Sequence, residues 1–304
     1  MRSFVLAAFV LLSACKSAPI PIAPDAEPVV IAAEQELAAG NYENVRVQLT
    51  SRDLREFPKS LQPRYELTLA RAYKALNQDW LAFTTVQDFA DRYPHSELRE
   101  LVVELIYEVG KTLTESDSGF LFFWSDRRGG RQCLEHLITR YPDAVQLADA
   151  LRILGEMAFA DQKYDLAQER FRDLLTRRPD SEWRQLARFR FAMSLVASLR
   201  GPEYDLDEMQ HASRELVDFL AKPPENQAFV DAARESLQRV LGWQADRYII
   251  IANFYRTIGN RPGELASLQR AMAENLAGTP AAASAKARLQ LLQANTTLPL
   301  GTIP

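Results

Sequence analysis

Gly110-Lys111-Thr112 has the residue types that close a phosphate-binding loop, where backbone N–H groups and a lysine hold an anion. That loop needs a glycine five positions upstream, and Leu105 stands there inside an apolar-periodic stretch. Cys133 and His136, three apart, could present two ligands from one helix, but a structural zinc site takes four and His95 and His211 are distant in sequence. The pattern instead puts both on the rim of a helix whose core is filled by Leu134 and Leu137. No Ser or Cys nucleophile stands in a recognised spacing with a base, and the carboxylates are spread as solvated charge over helix faces. The sequence therefore predicts no catalytic, cofactor or metal site: the chain is expected to bind and not to turn over.

One side chain does carry an expected covalent chemistry. Arg2 gives a short basic start, Phe4 to Leu12 is an unbroken apolar run, and Leu12-Ser13-Ala14-Cys15 follows at once. The run spans roughly 14 Å at 1.5 Å per residue, about half of a hydrocarbon core, so 1–14 reads as a removed signal peptide and not as a span. Leu-Ser-Ala-Cys resembles the bacterial lipobox, which implies diacylglycerol on the Cys15 thiol and a further acyl chain on the new amino group. Two or three chains anchor stably where one is marginal. Lys16 follows in place of the Asp that holds such proteins at the inner membrane, so the resemblance implies the outer membrane, facing the periplasm. Residues 15–28, with the proline-rich "SAPIPIAPDAE", read as the lipidated cysteine and an extended tether. With Cys15 acylated, Cys133 has no disulfide partner in the chain.

Elements that could display binding residues are helical. Of 304 residues 47% are hydrophobic and 25% charged, which is globular composition, and apolar residues recur at three and four with little strand alternation. A net charge of −4 leaves no broad cationic surface for nucleic acid. From Ala148 to Pro179 a tetratricopeptide (TPR) pattern is readable: Leu151, Leu154, Gly155, Ala158, Ala167, Phe171 and Pro179 occupy its signature positions. Gly155 and Ala167 should mark the close crossing of helix A and helix B, with Phe171 filling the space beside them and Pro179 ending the unit.

Copies of this unit run along the chain, stopped at Pro58, Pro94, Pro142 and Pro179. The first uses Gly40-Asn41 as its turn; the third begins at the helix cap Ser96; the fifth breaks at Gly201-Pro202. A long helix is expected over about 228–258, with Gly242 as a point of kinking and Phe229, Ala233, Leu237, Leu241, Tyr248, Ala252 and Tyr255 as its stripe. A final hairpin of "ELASLQRAMAENL" and "PAAASAKARLQLLQ" then follows. The expected architecture is all-α: a single right-handed TPR solenoid of about five to six hairpins over 29–294, followed by a polar tail, 295–304. The third repeat carries an insertion, about 115–127, with Phe120 to Trp124 beside Arg127, Arg128 and Arg131. Two readings stand: a plug within its own hairpin, or a partner or membrane contact through Phe122, Phe123, Trp124, Arg127 and Arg128.

Three stretches resemble the BamD family, the TPR lipoprotein subunits of the machinery that inserts β-barrels into bacterial outer membranes. They are "RYPHSELRELVVELIY" (92–107), "ADRYIIIANFYRTIGN" (245–260) and "GTPAAASAKARL" (278–289). The resemblance implies a lipid-anchored scaffold whose partners are the barrel-forming assembly subunit, other lipoproteins of that machine and unfolded outer-membrane protein segments. Its N-terminal repeats would meet clients or partner loops, and its C-terminal repeats the barrel subunit. The alternative is a TPR lipoprotein that scaffolds cell-division or peptidoglycan-processing proteins.

Overall fold

The computed structural model describes residues 20–115 and 126–297, and its described residues are helices joined by turns, with no strand among them. Cys15 and the apolar leader, the cluster Phe120 to Trp124, and residues 298–304 lie outside the described part. No described helix is long and apolar enough to cross a membrane. By its internal packing the chain falls into two compact units, Met1–Val109 and Gly110–Pro304.

The first unit contains α1 (Ala26–Ala38), α2 (Tyr42–Thr50), α3 (Gln62–Ala75), α4 (Asp79–Val86), α5 (Phe89–Arg92) and most of α6 (Arg99–Glu115). Val30, Ala33, Val45, Leu49, Tyr65 and Leu69 pack into one core that Phe57 closes, its ring 4.9 Å from that of Tyr65. The Tyr65 hydroxyl donates to the carbonyl of Leu49 at 2.6 Å, so the one polar atom this ring buries is satisfied. Helix α1 begins at Ala26, inside the segment expected to be tether. The cause is local: the Ala23 N–H donates to the Glu56 carbonyl, and Asp25 takes a two-pronged bond from Arg52, pinning the chain before Pro28. Pro28 falls in the first helical turn, where its missing N–H costs nothing.

The second unit takes the end of α6, then α7 (Asp126–Arg140), α8 (Leu147–Ala160), α9 (Tyr164–Arg177), α10 (Arg184–Ser198), α11 (Leu206–Ala221), α12 (Gln227–Thr257), α13 (Arg261–Ala271) and α14 (Pro280–Thr297). At Gly155 an added Cβ would lie 2.7 Å from Cζ of Phe171, so the expected close crossing of α8 and α9 is present, with the Phe171 ring as the element that fills it. A second crossing was not singled out in the sequence: a Cβ at Gly130 would lie 2.6 Å from the Thr114 nitrogen, so glycine lets α7 lie directly on the end of α6.

One turn geometry recurs. Gly40, Asn77, Gln162 and Gly259 all have positive φ, and the residue after each donates its N–H to the carbonyl five positions back: Asn41 to Glu36, Gln78 to Tyr73, Lys163 to Ala158, Asn260 to Tyr255. This is the Schellman stop, and in each case the next helix starts at once. The last instance corrects the expected pairing. Gly259 makes α12 and α13 the hairpin, and α14 is an added helix, started by Thr279, whose hydroxyl accepts the Ala282 N–H. Helix α12 runs unbroken through Gly242, and its buried line is Val230, Ala233, Ser236, Val240, Gln244, Ala245 and Ala252. The line differs from the expected stripe because α12 packs on α10 and α11 first and on α13 and α14 later, and small residues sit at the closest approaches. Gln244 is buried there because its amide donates to the Met209 carbonyl and the Ser213 hydroxyl, both at 2.9 Å.

Candidate peptide-binding groove

In the first unit, α3 has two working faces. Tyr65, Leu69 and Ala72 enter the hairpin core, while Arg64, Leu67, Thr68, Arg71 and Lys74 recur at three and four on the other side. Glu34, Leu37 and Ala38 of α1, with Leu101, Glu104, Leu105 and Glu108 of α6, share that spacing and complete a groove of about 850 Å³. Its floor is aliphatic. Leu67 and Leu105 are buried, whereas Leu101 keeps 37% of its surface in water.

Charges around that floor differ in whether they are already satisfied. Arg64 binds Glu34 through two parallel bonds, Nε to Oε1 at 2.9 Å and Nη2 to Oε2 at 2.5 Å, and the carboxylate raises the guanidinium pKa further. Lys74 reaches Glu108 at 3.7 Å and Asp79 at 4.0 Å. Arg71, half-buried on α3, and Glu104, exposed on α6, make no ion pair or hydrogen bond among the described residues. Behind the groove, Glu66 is only 2% exposed. Its Oε1 meets Arg92 Nη1 at 2.6 Å and accepts from the Tyr93 hydroxyl at 3.0 Å, while its Oε2 is buried without a partner. Burial pushes the Glu66 carboxyl pKa up against the opposing pull of Arg92, and raises that of Tyr93 as well. This carboxylate ties the Tyr93-Pro94 stop to α3 and so helps set where α6 starts.

The residues considered from sequence are dispersed. Cys15, Phe122, Phe123 and Trp124 are outside the described residues. Arg127 lies 3.2 Å from Asp161, which also binds Arg131, and Arg128 is exposed in the first turn of α7. Cys133 is fully buried, in contrast to its expected place on the rim, because Gly110 opposite it has no side chain and leaves room. Gly110-Lys111-Thr112 lies within α6, and among the described residues no three His, Cys, Asp or Glu side chains gather as a metal site. Arg71 and Glu104 were not singled out; their one sequence signal is a second amphipathic face on each helix A, opposite the signature positions.

The tetratricopeptide repeat family model matches at 149–181, which spans α8, its Schellman turn and α9. No curated protein matches the chain. A solved structure titled as the functional characterization of Pseudomonas aeruginosa pilF is similar over 88% of this chain and 96% of that chain, at 15% identity and a TM-score of 0.30. The described residues are all-helical with TPR-type hairpins, and TPR-type repeats serve protein–protein interaction.

Proposed function

We propose that this chain is a lipid-anchored periplasmic scaffold of the outer-membrane β-barrel assembly machinery, a BamD-like protein held by acylated Cys15. The observation that carries the reading is the groove along α1, α3 and α6: an aliphatic floor between charged walls, in the N-terminal repeats that the resemblance assigns to client segments. Such a groove suits a polypeptide segment, whose apolar side chains enter the floor while its polar groups meet the walls. The action proposed is binding, without turnover.

The test is a pull-down of the acylated chain from its own envelope in mild detergent, with Cys15→Ala as the control. Stoichiometric recovery of a β-barrel subunit with periplasmic repeat domains is expected. Recovery of division or cell-wall enzymes without such a subunit would overturn the reading and establish the envelope-scaffold alternative.

A further inference from the structure

The groove carries more information than its shape, because its charges are unevenly satisfied. At its α1 side the Glu34–Arg64 pair is closed. Towards the other end Lys74 bridges α3 to Glu108 of α6. Arg71 and Glu104 belong to the same walls, yet neither has an ion-pair partner among the described residues. They do not pair with one another either, which requires separation beyond 4 Å. They line the same groove as Leu37, Leu67, Leu101 and Leu105, which provide its aliphatic floor.

Arg71 is a half-buried residue in the wall of a groove with an aliphatic floor, and among the described residues no anion compensates its charge, so it can attract a carboxylate brought by a ligand. Glu104, in the wall of the same groove, would repel a ligand that was only acidic and would accept a cation. The complementary occupant is therefore neither an anionic nor a purely apolar peptide.

We infer that the groove selects polypeptide segments that place an acidic side chain against Arg71 and a basic one against Glu104, with a large apolar residue between them on the leucine floor. The inference rests on the groove being the client site of the proposed scaffold and names what that client must carry. Selection of this kind works by exclusion as well as attraction: a segment with one charge reversed meets like charge at one wall. Among the described residues neither makes a hydrogen bond or ion pair, so a Gln at either position breaks none.

Fluorescence anisotropy of the mature chain, residues 15–304, in mild detergent provides the test. The probes are labelled ten-residue peptides containing a Phe-Leu pair flanked by Asp and Lys, in both orders, and a matched peptide with Asn and Gln in those places. One charged order should bind about tenfold more tightly than the neutral peptide, each exposed contact supplying up to about fivefold. Arg71→Gln should remove the advantage of the Asp, and Glu104→Gln that of the Lys, each read as the ratio of charged to neutral peptide affinity for the same variant. The advantage should shrink in 0.5 M salt. Equal binding of charged and neutral peptides, insensitivity to both substitutions, or no binding of any peptide would overturn the inference. The envelope pull-down reads separately: a barrel subunit recovered with flat peptide data removes the charge selection alone, and charge-selective binding with no barrel subunit removes the assembly role alone.

Discussion

Replacing Gly155 by alanine would put a methyl carbon 2.7 Å from Cζ and 2.8 Å from Cε1 of Phe171. Carbon atoms rest at about 3.5–4.0 Å, and the ring is fully buried, so it cannot swing into solvent to yield the missing ångström. Overpacking of this kind costs about 1–3 kcal/mol. Against it stands the gain from replacing a helical glycine by alanine, about 1 kcal/mol. Gly155→Ala should therefore destabilise the second unit by about 0–2 kcal/mol. Gly242 supplies the control within the same unit: it is also inside a helix, and an added Cβ there meets nothing within 4 Å. Gly242→Ala should stabilise by up to about 1 kcal/mol, so the same chemical change gives opposite signs. Urea unfolding followed by far-UV circular dichroism resolves this, because at about 2 kcal/mol per M each kcal/mol moves the midpoint by about 0.5 M. Phe171→Leu in the Gly155→Ala background should recover stability relative to the sum of the two single changes, by about 1 kcal/mol or more. Equal shifts for Gly155→Ala and Gly242→Ala, or strict additivity with Phe171→Leu, would refute the claim that the ring sets the approach of α8 and α9.

The buried carboxyl of Glu66 gives the first unit a pH dependence. Its pKa is raised in the folded state, so its contribution is fully present below the unfolded value of 4.5 and is lost as pH rises through the folded value. Relative to Glu66→Gln, the natural chain should lose stability as pH climbs above 4.5, which urea midpoints at pH 5 and 7 will show; a constant difference would contradict it. Arg288 binds Glu264 and donates to Asn253 Oδ1 at 2.6 Å, and Glu264 is only 5% exposed. Arg288→Ala should therefore cost about 3 kcal/mol by stranding that carboxylate, with faster hydrogen exchange in α13 and α14 as the readout. Gln162 holds φ at 59° in the α8–α9 turn, where a side chain is strained, so Gln162→Gly should raise the urea midpoint by an amount worth up to about 1 kcal/mol.

The hairpin crossing at Gly155 was legible because it depends on three side chains within one repeat: a missing Cβ, a small Ala167 and a ring one turn further on. The pairing of α12 with α13 was not. Gly259-Asn260 makes the same stop as Gly40-Asn41, but α12 is long enough to face two sets of neighbours in turn, and its pattern averages over both. Cys133 was misplaced for a related reason, since the space it fills is made by Gly110, on another helix.

Arg71 and Glu104 mark a deeper limit. A sequence shows that a helix face is charged, and on such faces most charges meet partners, as Arg64 meets Glu34 and Arg170 meets Glu135. What distinguishes Arg71 is the lack of a partner beside an apolar floor, and that property belongs to no residue singly. It arises only when α1, α3 and α6 are brought side by side. In a repeat protein the signature positions are spent on stacking one helix against the next, so information about partners has to reside in the remaining face of each helix A. Unpaired charge on that face is where the search for specificity should start, because a charge that serves no neighbour in the fold can serve a ligand without cost to stability.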